Sequence, residues 1–268
     1  MGATLDDVDE SVGALRRTLL TISPIVLAAL AALVWFVVGR TLRPVEEANR
    51  RQRQFVADAS HELRSPLTRI RTELEIDLAH PDRAELAATH RTVLADAIAL
   101  QALVEDLLHL ARSDAGTTAL RRDPVDLDDI VLTEVQRVRP SVTVAFDVAG
   151  LSGAQVLGDT DQLRRVVRNL LENAVRHARS TVTVEVREEP GEALLAVTDD
   201  GPGIPASERE RVFERFTRLD DARSARAGGT GLGLAITREI VQRHDGAVAV
   251  DPAVGTGTRM VVRLPRAG

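Results

Sequence analysis

The sequence predicts an α+β multidomain protein with one transmembrane helix, a helical hairpin and a C-terminal α/β sandwich. Three observations lead to this fold class. Residues 19–38 run for twenty positions without a charge. Between residues 46 and 111, two stretches repeat apolar side chains at helical spacing and are separated by a proline. From residue 127 onward, short apolar runs alternate with helical patterns, as expected for a sheet packed against helices.

Length and composition limit the classes of protein that this chain can represent. Its 268 residues suffice for two domains with cores of their own. The absence of cysteine excludes disulfides and thiolate metal sites. All 34 basic residues are arginine, which excludes any lysine-dependent chemistry, and the net charge is −6. Since no basic face stands out either, we expect no nucleic-acid partner.

The uncharged run is predicted to be a single transmembrane helix over residues 19–39, after a short extracytoplasmic segment, residues 1–18. At 1.5 Å per residue, twenty residues span about 30 Å, the thickness of a bilayer core. Trp35 near one end fits an interfacial aromatic. A buried helix of a soluble domain and a cleaved signal peptide remain alternatives, although the acidic residues before the run are atypical of a signal peptide.

The arginines around this run predict its orientation. Arginine is denser after the run than before it, and this bias favours the cytoplasm for the C-terminal side. We therefore expect a single-pass protein of the plasma membrane, in contact with lipid, whose larger part is cytoplasmic.

Residues 54–115 are predicted to form a helical hairpin. In the first helix the apolar positions follow spacings of four and three, at Leu63, Leu67, Ile70 and Leu74. His80-Pro81-Asp82 ends that helix, and Asp82 can cap the next. The second helix repeats apolar residues from Leu86 to Ala111. Two helices alone leave their stripes half exposed, so we expect a homodimer in which two hairpins form a four-helix bundle.

One histidine of the hairpin has a setting suited to catalysis. His61 is followed by Glu62, and Pro66 lies five residues later, where it should bend the helix. Neutral imidazole is a nucleophile at pH 7, and a neighbouring carboxylate can act as its base. The remaining histidines lack this setting and are predicted to be structural or on the surface: His80, His90, His109, His177 and His244.

Residues 116–126 are polar, contain glycine and proline, and are predicted to be a linker. The domain at residues 127–268 then carries alternating strands and helices. The predicted strands are Val142–Val148, Thr181–Val186, Leu194–Val197, Ala247–Val250 and Met260–Leu264. The predicted helices are Asp128–Val138, Asp161–Ala178 and Leu232–Arg243. This order predicts an α/β sandwich with its helices on one face.

Three motifs in this domain suit the binding of a phosphorylated ligand. The first is Asn169-Leu-Leu-Glu-Asn173-Ala, whose amides can supply an oxygen to Mg²⁺. The second, Asp199-Asp-Gly201-Pro-Gly203, follows an apolar strand. The third, Gly229-Thr-Gly231-Leu-Gly233, opens an apolar helix, where backbone N–H groups can receive phosphate oxygens. Each motif is weak evidence alone, and a chain without lysine cannot carry a P-loop.

Together with the segment Phe55 to Leu67 that carries His61, these motifs resemble the sensor histidine kinases of two-component signalling. The resemblance covers nearly all of residues 54–268. It implies a Bergerat-type ATP-binding fold, Mg-ATP as substrate, and His61 as a phosphoacceptor that passes its phosphoryl group to an aspartate of a response regulator.

The resemblance also implies the roles of individual residues. Glu62 would be the base for His61, and Ser65 would position water for dephosphorylation of the regulator. Asn173 would bind Mg²⁺, and Asp199 would receive the adenine amine. The other residues expected to contact the nucleotide are Asn169, Arg176, His177, Gly201, Gly203, Arg218, Gly229, Thr230, Gly231, Leu232 and Gly233. Arg223 and Arg226 belong to an expected lid over residues 220–228.

Two functional alternatives remain at this point. The first is a non-kinase ATPase of the gyrase or chaperone class, in which a glutamate that activates water stands where this chain has Asn169. The second is a catalytically silent dimeric scaffold.

The segment Gly39 to Val45 resembles the start of a HAMP linker, predicted here as an abbreviated linker over residues 40–53. A natural minimal kinase and a truncated chain are both compatible with that brevity.

Overall fold

The computed structural model of the chain describes residues 5–80, 86–114, 120–219, 230–252 and 256–267. It divides into two compact units, residues 1–58 and 59–268. Helix α1 runs from Leu5 to Ala79 and contributes to both units. Within the first unit, one stretch of the described residues, Thr18–Phe36, is long and apolar enough to cross a membrane, with a mean hydropathy of 2.4 and no buried residues.

Helix α1 differs from the prediction because residues 40–53, expected to be a linker, are helical and continuous with what precedes and follows them. A linker was predicted there because the segment Gly39 to Val45 resembles the start of a HAMP linker. The helix also continues through Pro66, which is buried. The bend expected beside His61 stays a prediction. The helix ends at Ala79, as the sequence predicts, whereas the expected cap Asp82 lies outside the described residues.

The second unit contains the predicted hairpin, formed by the end of α1 and by α2 at Leu86–Asp114. Arg69 of α1 connects the two helices. Its guanidinium donates to the carboxylate of Asp96 on α2, with N–O distances of 2.7 and 3.1 Å. Leu103 and Leu110 are the buried apolar residues of α2. The antiparallel pair predicted from the apolar periods is therefore present.

The rest of the second unit is an α/β domain. Its helices are α3 (Leu127–Val138), α4 (Thr160–His177) and α5 (Gly233–Arg243). Its strands are β1 (Asp123–Asp126), β2 (Ala145–Leu151), β3 (Gln155–Gly158), β4 (Thr181–Glu189), β5 (Glu192–Asp199), β6 (Ala247–Val250) and β7 (Thr258–Pro265). Short 3-10 turns cover Arg139–Ser141, Ala206–Glu208 and Arg211–Phe213.

Five strands form one sheet in the order β2-β4-β5-β7-β6, in which β2 and β4 are parallel and the other pairs antiparallel. One face carries Val184, Val197 and Met260 in register, and all three are buried. The opposite face carries charged side chains such as Glu185 and Arg259, which pair at 2.7 Å. The helices therefore cover one face, as the sequence predicts, and the core lies between them and the sheet.

Two strands escape the sequence analysis. Strand β1 lies inside the predicted linker 116–126 and pairs antiparallel with β3, which the sequence analysis did not predict either. Their few apolar residues, Val125 in β1 and Val156 and Leu157 in β3, do not form a recognisable strand pattern. Strand β2 begins at Ala145 rather than at the predicted Val142, because the turn that follows α3 extends to Ser141.

Candidate functional site

The candidate site lies where strand β5 ends, and its central group is Asp199. This carboxylate is buried and accepts the backbone N–H of Gly201 at 2.9 Å and that of Thr258 at 3.3 Å. Burial raises the pKa of Asp199, and the two N–H donors and the charge of His177 offset part of that rise. The structure thus holds a buried hydrogen-bond acceptor in a fixed orientation at the end of β5.

The two glycines after Asp199 are required by backbone packing. A Cβ on Gly201 would lie 2.3 Å from the carbonyl oxygen of His177. Gly203 has a φ of +80°, and its Cβ would lie 2.9 Å from the carbonyl oxygen of Gly257. Larger residues would push the loop away from the end of α4 and from the start of β7.

Sequence reasoning missed two residues of this loop packing, Gly257 and Thr258. Gly257 has a φ of +86°, and a Cβ there would lie 1.9 Å from the carbonyl oxygen of Asp199. Thr258 donates to the carboxylate of Asp199, as described above. The available signal was the sequence Gly255-Thr-Gly257, which directly precedes the last predicted strand.

Helix α4 presents the two asparagines. Asp159 caps its start by accepting the N–H groups of Asp161 and Gln162, each at 3.1 Å. Asn169 and Asn173 are half-buried and one turn apart. The side-chain amide of Asn169 donates to the carbonyl oxygen of Gly233 at 3.0 Å. The first and third sequence motifs are therefore in direct contact.

The third motif is held by a tight backbone arrangement. Gly231 has a φ of +68°, and its carbonyl oxygen accepts the N–H of Phe216 at 3.0 Å. Thr230 accepts the N–H of Leu232 at 3.3 Å, and Gly233 begins α5. Gly229, Arg223 and Arg226 lie outside the described residues.

Two arginines approach each other at the C-terminal end of α4. Arg176 is exposed as a whole residue, yet desolvation of its guanidinium lowers its pKa, and the nearby positive charge of Arg218 lowers it further. Glu172 opposes this effect. Two cations close enough to repel each other form a local positive field that favours an anion.

Glu62 of the hairpin lies close to Arg218. Arg218 lies 3.9 Å from the carboxylate of Glu62, and both side chains are largely covered, at 22% and 34% exposure. His61 and Ser65 are exposed on α1 beside it. The partner of Glu62 in this arrangement is thus Arg218 and not His61.

Among the described residues, no group of three or more acidic, histidine or cysteine side chains could hold a metal ion. A Mg²⁺ site made of protein carboxylates is therefore not found in that part of the chain. Mg²⁺ that is held by one amide oxygen and by phosphate oxygens needs no such cluster. Asn173 fits this second kind of site.

The known proteins agree with this division of the chain. Residues 51–116 match the His Kinase A (phospho-acceptor) domain. Residues 158–268 match the family described as histidine kinase-, DNA gyrase B- and HSP90-like ATPase. These segments correspond to the hairpin and to most of the α/β domain.

Curated relatives extend the match. The signal transduction histidine-protein kinase/phosphatase MprB of Mycolicibacterium smegmatis is 40% identical over 227 residues, 81% of this chain and 45% of that protein. The probable sensor histidine kinase TcrY of Mycobacterium tuberculosis is 43% identical over 223 residues, again 81% of this chain and 46% of that protein. The chain thus spans less than half the length of these relatives.

A solved structure shares the fold. The histidine kinase AdeS of Acinetobacter baumannii aligns with a TM-score of 0.65 over 78% of this chain and 98% of that one, at 20% identity.

Proposed function

Because the chain belongs to the family of sensor histidine kinases of bacterial two-component signalling, we propose that it phosphorylates its own His61 from Mg-ATP. It then passes the phosphoryl group to an aspartate of a response regulator. The observation that carries this proposal is the contact between Glu62 and Arg218, 3.9 Å apart. It joins the segment that bears the acceptor histidine to the pair Arg176 and Arg218 of the domain that would hold the nucleotide.

In this proposal the adenine binds at the end of β5, beside Asp199. The exocyclic amine of adenine donates to Asp199, whose orientation is fixed by Gly201 and Thr258. The loop around Gly231 and the start of α5 offer backbone N–H groups to the phosphates. Arg176 and Arg218 stabilise the charge on the transferred group, which is the principal requirement of phosphoryl transfer.

Asn173 would hold Mg²⁺ through its side-chain oxygen, and Asn169, one turn earlier on α4, would support the same site. When bound, the ion neutralises charge on the phosphate oxygens. An amide at position 169 cannot remove a proton from water as a glutamate would. The amide at position 169 therefore favours transfer to histidine over hydrolysis.

The chemical step forms a bond between an imidazole nitrogen of His61 and the γ-phosphorus while the bond to the ADP oxygen breaks. Glu62 accepts the imidazole N–H proton. In the described arrangement Glu62 faces Arg218. A nucleotide phosphate that attracts Arg218 leaves the carboxylate available to the imidazole.

Dimerisation and membrane attachment belong to the same proposal. The apolar stripe at Leu63, Leu67, Ile70 and Leu74 lines an open groove of about 690 Å³ on the hairpin. A second copy of the hairpin covers it and completes a four-helix bundle. The apolar stretch Thr18–Phe36 anchors the dimer in the plasma membrane with the catalytic part in the cytoplasm.

Ser65 gives the protein a weak phosphatase activity toward the phosphorylated regulator. Its hydroxyl can hydrogen-bond water, but serine lacks the methyl group that restricts the rotamers of threonine. Ser65→Thr should therefore speed the decay of regulator phosphate. Ser65→Ala should abolish the acceleration of that decay by the kinase, while His61 is still phosphorylated. Equal decay with all three residues would contradict this role.

Incubation of the full chain with γ-labelled ATP tests the kinase proposal. We expect label on the protein that is lost in acid and stable in base, and none on His61→Gln, which should still bind ATP. Release of free phosphate without labelled protein would indicate a hydrolysing ATPase, and neither product would indicate a silent scaffold.

A further inference from the structure

We infer that polar side chains near the end of α2 form a clasp that positions the ATP-binding domain against the His61 segment of its own chain. The clasp consists of Asp106, His109 and Ser113 on α2, Arg165 on α4 and Glu239 on α5. The inference rests on the proposed function and deepens it, because it names positioning residues and the route of transfer.

The first contact of the clasp joins Asp106 to Arg165, whose guanidinium donates to the carboxylate. Their side chains are only 19% and 17% exposed. Exposed ion pairs contribute little to stability, whereas charges withdrawn from water depend on their partners. Loss of either partner would leave the other charge largely covered and unpaired, so this contact favours the docked arrangement.

The second contact centres on Glu239. Ser113 donates its hydroxyl to Oε1 of this carboxylate. Oε2 lies 3.2 Å from Nε2 of His109, and since the two atoms are not aligned as a hydrogen bond, the interaction is electrostatic. Arg243 adds a cation at 3.8 Å. Burial alone would raise the pKa of Glu239, but these contacts hold it below its ordinary value, so the carboxylate stays ionised in the clasp.

The clasp lies on the same stretch of the hairpin as the acceptor. The pairing of Arg69 with Asp96 places Glu62 level with Leu103 of the antiparallel helix. Asp106, His109 and Ser113 follow Leu103 along α2, within roughly 15 Å at the rise of a helix. Arg218 meets Glu62 at the other end of this stretch.

Two separated contacts restrict the domain more than either one alone. A domain held only at Glu62 could pivot about that point, and one held only at the clasp could swing Arg218 away from His61. Held at both, its nucleotide end stays beside the acceptor, and such positioning accounts for much of the rate of a transfer reaction. A domain that docks in this way on the hairpin directly preceding it in sequence, at Arg165 and at Glu62, transfers the phosphoryl group to the His61 of its own chain, in cis.

Mixed dimers of the full chain in lipid nanodiscs test the route. One dimer pairs His61→Gln with Asn173→Asp, so that no chain has both a working acceptor and a working nucleotide site. The other pairs a wild-type chain with a chain that carries both substitutions. Transfer in cis predicts label only in the second dimer. Label in the first dimer, or none in the second, would overturn the inference and leave the kinase assignment intact, whereas an unlabelled wild-type homodimer would overturn the kinase assignment itself.

Charge reversal tests the clasp. We expect Asp106→Arg and Arg165→Asp each to slow autophosphorylation between about 10- and 100-fold with unchanged ATP affinity. The double variant should recover most of the rate, which a merely misfolded protein would not do. Glu210→Arg reverses a charge of the exposed pair with Arg238 in the same domain and should leave the rate unchanged. Wild-type rates in both single variants, or no recovery in the double variant, would contradict the clasp.

Discussion

At the scale of single residues, two adjacent aspartates serve different parts of the domain. Asp199 is buried, and its carboxylate is fixed by two N–H donors. Asp200 faces the start of β4, where it accepts the backbone N–H groups of Arg179, Ser180 and Thr181 and the hydroxyl of Ser180. These bonds hold the pKa of Asp200 well below its ordinary value.

Asp199→Asn should weaken ATP binding because it removes the charge that receives the adenine amine. The amide oxygen can still accept the N–H groups of Gly201 and Thr258, so the loop should persist. A hydrogen bond to a charged group contributes about 1.5–3 kcal/mol, which corresponds to a loss of roughly 10- to 100-fold in affinity. Calorimetric titration with ATP measures this change. Asp200→Asn is the matched control and should leave the affinity unaltered. Equal affinities in all three proteins would refute the adenine role.

His244 shows how a buried histidine can link stability to pH. Its Nε2 accepts the N–H of Asp159 at 3.1 Å, so the proton sits on Nδ1, which donates to the carbonyl oxygen of Ile240 at 2.8 Å. Burial lowers its pKa, a shift that the carbonyl of Ile240 and the charge of Asp159 partly offset. The sequence analysis predicted a structural or surface role, and the buried ring joins the start of α4 to the end of α5.

The sign of the pH effect follows from the lowered pKa. Below about pH 6.5 the unfolded state binds a proton that the folded state refuses, so stability is lost as the pH falls from that value toward the lowered pKa. For one group the loss is at most about 1.4 kcal/mol per pH unit. Chemical denaturation between pH 7.5 and about 5 should therefore show a smaller decline for His244→Gln than for wild type. His90→Gln, an exposed control, should decline like wild type, and identical slopes in all three would exclude His244 as the cause.

The sequence predicts some residues of the site and misses others. The sequence Asp199-Asp-Gly201 and its resemblance to a known family single out Asp199 for the adenine site, and in the structure β5 ends at Asp199, which is buried. Gly257 and Thr258 escaped because their role depends on β7 pairing with β5, a contact 59 residues distant in sequence. The only local sign of this pairing is the sequence Gly255-Thr-Gly257.

At the scale of elements, the loop before α5 is shaped by Gly231. Its positive φ is a conformation that side chains with a Cβ rarely adopt. A Cβ at this position would also lie 2.9 Å from backbone atoms of Phe216, whose own φ is +61°. The loop and the segment around Phe216 are therefore packed backbone to backbone, whereas the expected lid over residues 220–228 lies outside the described residues.

Gly231→Ala should shift this loop and reduce autophosphorylation by roughly 10-fold or more, since small displacements around a transferring group are costly. ATP affinity should fall as well. Initial rates of labelling over a range of ATP concentrations measure both effects. Gly153→Ala is the control, because nothing lies within 4 Å of its added Cβ and its φ is ordinary. Kinetics like those of wild type in Gly231→Ala would mean that the loop does not approach the phosphates.

Elements with a strong local pattern were predictable, including the four-residue strand β6, whereas elements without such a pattern were not. Helix α4 was expected at Asp161–Ala178 and occupies Thr160–His177, because its apolar positions and its cap at Asp159 are local signals. Strands β1 and β3 stabilise each other through four paired residues, and Pro124 in β1 resembles a linker residue. Helix α1 is continuous where charged residues lack a stripe, so its continuity could not be read from periodicity.

At the scale of the whole molecule, the hairpin leaves apolar side chains uncovered. Leu67 and Leu74 are 54% and 41% exposed, although their spacing places them on one stripe with Leu63 and Ile70. An uncovered stripe of this kind is expected at the interface of a four-helix bundle.

Leu67→Glu combined with Leu74→Glu should convert the dimer into monomers, because burying two carboxylates in an apolar interface is unfavourable. Sedimentation of the detergent-solubilised chain measures this change. Ile76→Glu is the control, since Ile76 is 55% exposed and lies two residues beyond Leu74, on a different side of the helix. A dimer that survives the double substitution would place the interface elsewhere.

The central claim is that His61 receives the phosphoryl group of ATP, and mass spectrometry of phosphopeptides tests it most directly. The full chain is incubated with Mg-ATP, digested at neutral to alkaline pH to preserve phosphohistidine, and mapped. The sequence contains six histidines, so five internal controls accompany the test. We predict phosphate on the peptide that contains His61 and on none that contains His80, His90, His109, His177 or His244. Phosphate on one of those five, with His61 unmodified, would contradict the account.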